Sequence, residues 1–234
     1  LLRSADGGRS WTRLGSPSGR VTGMTRGVDG RLYALINNEL LSSGDGGGTW
    51  ARPGDNVQLS TVAADPVTAG QLYGLDRSGR PVASADSGRT WTPLPGRSLA
   101  GLRSLTVATS DPLVLFGADD RGVVIGRDGS WGRASGAVNG ALPTNAVRAV
   151  VYDAGSGDTA QLPGGERVSG ALYAATDSGV FKSVDYGSSW FRLALDGDID
   201  TLAVGPAGSG LVYAISSGGE VYRSTNRGVT WEGE

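Results

Sequence analysis

A phrase that ends in tryptophan recurs along this chain at an interval near forty residues, and that interval limits the possible folds more than any single residue does. Ser4-Ala-Asp6-Gly-Gly8-Arg-Ser10-Trp11 returns as Ser43-Gly-Asp45-Gly-Gly47-Gly-Thr49-Trp50 and as Ser84-Ala-Asp86-Ser-Gly88-Arg-Thr90-Trp91. It appears again as Ser183-Val-Asp185-Tyr-Gly187-Ser-Ser189-Trp190 and as Ser224-Thr-Asn226-Arg-Gly228-Val-Thr230-Trp231. A shorter copy, Gly126-Arg-Asp128-Gly129-Ser130-Trp131, lacks two residues. By subtraction of their positions, successive tryptophans lie 39, 41, 40, 59 and 41 residues apart.

Within each period the same elements follow in the same order. An apolar run such as Leu59 to Ala64 precedes an aromatic and a small residue (Tyr33-Ala34, Tyr73-Gly74, Phe116-Gly117, Tyr173-Ala174, Tyr213-Ala214), then a third short run, then the tryptophan. Brief β-rich segments bounded by Gly, Asp, Asn and Pro, without helical periodicity, predict four antiparallel strands per repeat. Four strands in about 40–45 residues is the blade of a β-propeller. The fold class is therefore all-β, a β-propeller of four-stranded antiparallel blades with the repeated phrase as the turn between strands three and four.

One propeller spans 1–234, with a partial blade at 1–14 that supplies strands three and four only, and five blades at 21–54, 57–95, 102–134, 145–193 and 199–234. The half-blade makes the chain an expected fragment of a longer propeller, seven blades being one such size. A five-bladed ring with a spare hairpin is the alternative.

The turn has a mechanical logic. An Asp carboxylate accepts from backbone N–H groups a few residues on, and Gly supplies the positive φ. Asn226 keeps an acceptor oxygen, so its turn is expected to survive. The tryptophans are expected to anchor the repeat by burial between neighbouring blades.

Composition removes whole classes of chemistry. With Cys 0 and His 0, disulfides, thiolate nucleophiles, Ser-His-Asp triads and the commonest metal ligands are excluded. The balance of 21 basic against 23 acidic residues argues against a nucleic-acid partner held by net charge. No apolar run of about 18 residues predicts a membrane span.

The six phrases resemble the Asp-box, or BNR-repeat, β-propellers, and the resemblance covers nearly the whole chain. Ala64-Asp65-Pro66 with Leu72-Tyr73, and Ala171 to Thr176 followed by Ser178 to Ser183, are similar to the branch containing photosystem II assembly and stability factors, sortilin-type ectodomains and xyloglucanase-type glycoside hydrolases. The resemblance implies that Asp6, Gly8, Trp11, Asp45, Gly47, Trp50, Asp86, Gly88, Trp91, Asp128, Trp131, Asp185, Gly187, Trp190, Asn226, Gly228 and Trp231 are structural. It also implies that ligands use the opposite face and that the protein is secreted or periplasmic, and arginine outnumbering lysine 20 to 1 suits a GC-rich bacterial genome. Sialidases carry the box too, but they need an Arg-Ile-Pro and a Tyr–Glu pair on a first strand, which Glu39, Glu166, Glu220, Glu232 and Glu234 do not supply.

Three constellations fall where ligands would sit. Arg103 and Arg148 occupy matching first-strand positions, with Asp200 at that position in the next blade. Two guanidinium forks there suit a carboxylate or phosphate, and ion pairing with Asp200 or another nearby carboxylate is the plainer reading. Asp196, Asp198 and Asp200 alternate as cation ligands do, but Thr201 stands where a calcium loop needs glycine and no glutamate follows, so a solvated loop is the plainer reading. Asp76, Asp119, Asp120 and Asp177 sit on loops between strands two and three, either as a glycosidase-like carboxylate pair or as turn formers. Apart from these, the insertion Asp153 to Val168 is expected to be a mobile loop on the box face and a candidate partner contact.

The function expected from this reading is a non-enzymatic scaffold or binding module for a protein or peptide partner, without a cofactor. The alternative is a carbohydrate-active propeller fragment or a glycan-binding module.

Overall fold

The computed structural model describes residues 1–233 apart from 7, 16–17, 55–56, 111, 135–141, 143–146 and 163. The chain is all-β, and no helix occurs among the described residues. By contacts it divides into two compact units, Leu1–Leu102 with Thr109–Leu113 and Asp128–Ser130, and Arg103–Ala108 with Val114–Arg127 and Trp131–Glu234.

The first unit holds the hairpin Leu2–Arg3/Thr12–Arg13 and two blades. Blade 1 runs Val21–Arg26, Leu32–Ile36 and Glu39–Ser43, its fourth strand reduced to the bridge Ser42↔Ala51. Blade 2 runs Leu59–Ala64, Leu72–Asp76, Pro81–Ser84 and Thr92–Pro93. The second unit holds most of blade 3 (Ser104–Ser110, Leu113–Asp119, Gly122–Arg127, Ser130–Arg133) and all of blades 4 and 5. Blade 4 is Val147–Asp153, Ala171–Thr176, Gly179–Ser183 and Phe191–Arg192, and blade 5 is Ile199–Val204, Val212–Ser216, Val221–Ser224 and Glu232–Gly233. Consecutive strands pair antiparallel, so these are five blades of a β-propeller.

The core lies between blades rather than within them. In the first unit Tyr33, Leu35 and Leu40 of blade 1 pack on Leu59, Val62 and Leu72 of blade 2. In the second, Phe116, Ala118 and Val123 of blade 3 meet Val147, Val150 and Leu172 of blade 4. Tyr173, Ala175 and Val180 of blade 4 then meet Ile199, Leu202 and Ala214 of blade 5. The aromatic–x–aliphatic rhythm of the second strands of blades 1, 3 and 4 follows from period-two geometry, which sends both side chains to the face of the following blade. Hydroxyls on one first strand bond the backbone of the next: Ser104 Oγ accepts from the Val150 N–H at 3.1 Å, and Thr25 Oγ1 from the Ala64 N–H at 3.1 Å.

The repeated phrase forms the turn from strand three to strand four. In blade 2, Ser84 Oγ donates to Asp86 Oδ1 (2.8 Å) and accepts from the Gly88 N–H (2.9 Å). Asp86 accepts from the Thr90 N–H (2.9 Å) and hydroxyl (2.7 Å), and the Trp91 indole N–H donates to the Gly88 carbonyl at 3.2 Å. Asp6, Asp45 and Asp185 make the same paired bonds. These bonds stabilise the charged carboxylate. Asp6, held chiefly by the Ser10 hydroxyl, and Asp86, held chiefly by the Thr90 N–H, drop to about 2. Asp45 falls well below the usual carboxylate range, chiefly through the Thr49 N–H.

Asn226 preserves the turn with one bond reversed. Its Oδ1 accepts from the Thr230 N–H at 2.9 Å, while its Nδ2 donates to the Thr230 hydroxyl at 2.8 Å. In the shortened copy Asp128 and Gly129, at φ 49° and 78°, form a two-residue hairpin turn. Asp128 acts there through its backbone conformation.

The turn glycine is also where the preceding segment docks. A Cβ built on Gly187 would lie 2.5 Å from the Ala134 carbonyl oxygen, and one on Gly228 would lie 2.5 Å from Leu193 Cδ1. Leu14 against Gly47 and Pro53 against Gly88 repeat the arrangement. The partner follows the previous tryptophan by three residues in each of these cases. Burial of the tryptophans is graded: Trp190 is 2 % exposed, whereas Trp11, on the half-blade, is 51 % exposed.

Candidate functional site

A register shift positions the first candidate site. In blades 1, 2, 4 and 5 the pairing of strand one with strand two skips one residue, between Val21 and Gly23, Leu59 and Thr61, Val147 and Ala149, and Ile199 and Thr201. The skipped residues are Thr22, Ser60, Arg148 and Asp200. Such a bulge leaves its residue out of the ladder and re-aims the side chain. The matching positions of Arg148 and Asp200 are thus one backbone feature in adjacent blades.

The two side chains turn toward each other. Arg148 lies 3.4 Å from Asp200 Oδ1 and closer, at 2.7 Å, to Asp198 Oδ1. Arg103 instead pairs with Asp120 at 2.5 Å. The plainer reading of both arginines therefore describes the geometry, with Asp198 and Asp120 as the nearer partners. Asp196 leaves this group, because Gly197 at φ 107° breaks the strand alternation, and it pairs with Arg192 at 2.8 Å. Each of Asp196, Asp198 and Asp200 thus lies beside an arginine. Among the described residues no three acidic side chains gather in a way that could hold a metal ion.

Of the carboxylates between strands two and three, Asp76 and Asp119 are engaged as well as Asp120. Asp76 Oδ1 accepts from the Ser78 N–H (2.8 Å), the Ser78 hydroxyl (2.6 Å) and the Arg80 N–H (3.0 Å). Asp119 receives both terminal nitrogens of Arg133 at 2.6 and 2.9 Å. Burial opposes ionisation at Asp119, yet the Arg133 bonds win and its pKa is lowered.

The insertion in blade 4 differs from the expected mobile loop. Thr159–Gln161 pairs with Arg167–Ser169 as an antiparallel hairpin. It is fixed at three places along its length. At the base, Asp158 forms an ion pair at 2.7 Å with Lys182, the only lysine in the chain, and the Tyr152 hydroxyl donates to the Ser169 carbonyl. Midway, Val168 is buried in the core between blades 3 and 4. Near the tip, Glu166 pairs with Arg127 at 2.7 Å, and that guanidinium lies 5.4 Å from the centroid of the Tyr186 ring. Burial pushes the Tyr152 phenol well above its ordinary range and raises the pKa of Asp153, whose Oδ1 accepts from the Gly155 N–H at 2.9 Å. An open cavity of ≈ 490 Å³ is lined by Thr159, Ala160, Gln161, Arg167, Val168 and Ser169.

The sequence reading missed Lys182, Asp158 and the Arg127–Glu166 brace. Its one available signal was that a single lysine stands beside a turn in a chain otherwise served by arginine. It also did not bring Glu220 and Tyr222 together. The Tyr222 hydroxyl donates to Glu220 at 2.9 Å at the start of the third strand of blade 5, and that bond raises the phenol pKa.

Fold and junctions together define a β-propeller. No family model matches the chain, and no curated protein matches it. Among solved structures it is similar to the Niastella koreensis GH74 enzyme, with a TM-score of 0.65 and 20% identity over 94% of this chain and 38% of that one. An ancestral GH74 enzyme gives 0.57 and 17% over 93% and 31%. YCF48 bound to D1 peptide gives 0.54 and 15% over 100% and 74%. The chain thus spans under two fifths of the GH74 chains, and at these identities the likeness is one of fold.

Proposed function

We propose that this chain is a non-enzymatic binding module that presents the blade 4 hairpin to an extended segment of a protein or peptide partner. The observation that carries this reading is the braced hairpin beside its cavity. Each of its strands has a partner on one side only among the described residues, and such an edge accepts a further strand through main-chain hydrogen bonds. The base and tip ion pairs hold the edge before a partner arrives, which lowers the ordering cost of binding. The peptide in the YCF48 structure supports the same class of partner. The engagement of Asp76, Asp119 and Asp120 in turns and ion pairs weighs against a glycosidase mechanism, which needs one carboxylic acid and one carboxylate at the bond being cleaved. Location outside the cytoplasm of a bacterium belongs to the same proposal and rests on the repeat and on the excess of arginine over lysine.

The GH74 likeness, with the highest of the three TM-scores, supports the rival reading of a carbohydrate-active fragment. A peptide array, a glycan panel and a β-glucan hydrolysis assay, each run with the native chain and with residues 159–169 replaced by a Gly-Ser loop, separate the two. Peptide binding that disappears with the hairpin is the expected result. Hydrolysis of β-glucan, or glycan binding in the absence of any peptide bound, overturns the proposal.

A further inference from the structure

The blade 4 hairpin is asymmetric in its charges and in its edges. Val168 is buried in the core between blades 3 and 4 and Ala160 packs against that core, so strand alternation turns Thr159, Gln161, Arg167 and Ser169 to the outer face, where all are exposed. The acidic residues of the hairpin are engaged elsewhere, Asp158 with Lys182 and Glu166 with Arg127. Arg167 makes no ion pair among the described residues, which leaves the outer face with a guanidinium, an amide and hydroxyls but no carboxylate. The edges differ as well. The Leu162 N–H donates to the Glu166 carbonyl at 2.8 Å, and the Gly170 N–H to the Asp158 carbonyl at 2.9 Å. Bonded and non-bonded pairs alternate along an antiparallel ladder, so Thr159↔Ser169 and Gln161↔Arg167 are non-bonded pairs whose main-chain groups point away from the hairpin. On the Arg167–Ser169 edge the Tyr152 hydroxyl already takes the Ser169 carbonyl. On the Thr159–Gln161 edge the outward N–H and C=O groups stay open among the described residues.

We infer that the partner's extended segment adds to the Thr159–Gln161 edge and carries a glutamate on its outer face, which Arg167 holds across Gln161. This rests on the proposed role of the hairpin and gives that partner its chemistry. A strand bonded to Thr159 and Gln161 lies two strand spacings, about 10 Å, from Arg167, a gap that two long side chains close over the intervening amide. A carboxylate only accepts hydrogen bonds, and each polar side chain on this face can donate one, the guanidinium in a fork that fits both carboxylate oxygens. The other face of the added strand continues that of Ala160, where apolar residues at alternate positions fit.

The probe is a fluorescein-labelled peptide, Thr-Val-Thr-Val-Glu-Val-Thr-Val-Thr, whose glutamate and threonines share one face. It is titrated with the full chain and followed by anisotropy, beside analogues with glutamine or lysine at the centre. Saturable binding of the glutamate peptide is expected, about three- to fivefold tighter than that of the glutamine peptide, as for an exposed ion pair. The lysine peptide should bind most weakly. Arg167→Gln should abolish the preference for glutamate while leaving the affinity for the glutamine peptide unchanged, and about 1 M salt should shrink the preference. Amide exchange at Thr159 and Gln161 should slow when the peptide is bound. Equal affinity for the glutamate and glutamine peptides, a preference that survives Arg167→Gln, slowing confined to Arg167 and Ser169, or no saturable binding of any of the three peptides overturns the inference. An array with no peptide whose binding needs residues 159–169 overturns the proposed function instead, so the two proposals fail separately.

Discussion

The indole N–H of Trp190 donates to the carbonyl of Ala134, 3.1 Å away and at the end of the preceding blade, while also reaching the Gly187 carbonyl of its own turn at 3.2 Å. One side chain therefore closes its own turn and fastens it to blade 3. Trp91 closes its turn in the same way and lies 3.5 Å from a Cβ built on Gly74 of its own blade.

Trp190→Ala is expected to cost about 3–5 kcal/mol, a cavity plus two lost bonds, and to lower the melting temperature by roughly 10 °C. Trp11→Ala, at a half-exposed position, should cost about 1 kcal/mol or less. Paired thermal melts followed by circular dichroism check the ranking, and equal shifts would remove the latch role of Trp190.

Acid should unfasten the turns. Asp6 and Asp86, at about 2, lie below the unfolded carboxylate value. Their contribution to stability is therefore complete above about pH 4 and is lost as pH falls through about 2. Asn226 shows that an amide fits the same turn. Asp86→Asn should accordingly keep the fold at pH 7 and lose less stability than the native chain between pH 5 and pH 2. Chemical denaturation at the two pH values measures the difference, and a parallel loss in both proteins contradicts the assignment.

Gly187 combines φ 85° with a carbonyl where a Cβ would go. Gly187→Ala should cost more than about 2 kcal/mol, because L-residues pay about 1–2 kcal/mol in that backbone region and the Ala134 backbone cannot give way. Gly132→Ala, with nothing within 4 Å, should stay within about 0.5 kcal/mol. Urea titration of both variants checks the contrast.

Strand order was legible because each strand two carries its aromatic, with a small residue next, 15 to 18 residues before the tryptophan of its own repeat. Which tryptophans are buried was not legible, since burial depends on the neighbouring segment: Trp11 sits on a half-blade and Trp190 under Ala134. The pairing of Arg148 with Asp200 could be read from their matching positions. The nearer partner, Asp198, could not, because Gly197 and the bulge at Asp200 change which way the three carboxylates point. The blade 4 hairpin escaped because its two strands are three residues long and mostly polar. Its order comes from Val168, Tyr152, Lys182 and Arg127, residues spread over several segments of the chain.

The skipped residue of each first strand holds Thr22, Ser60, Arg148 or Asp200 at one backbone location. Hydroxyl, cation and anion all occur there: Thr22 and Ser60 donate to carbonyls of the neighbouring second strand, while Arg148 and Asp200 pair with each other. A designer can therefore rewrite the chemistry at that end of the blades one side chain at a time, leaving the sheets as they are.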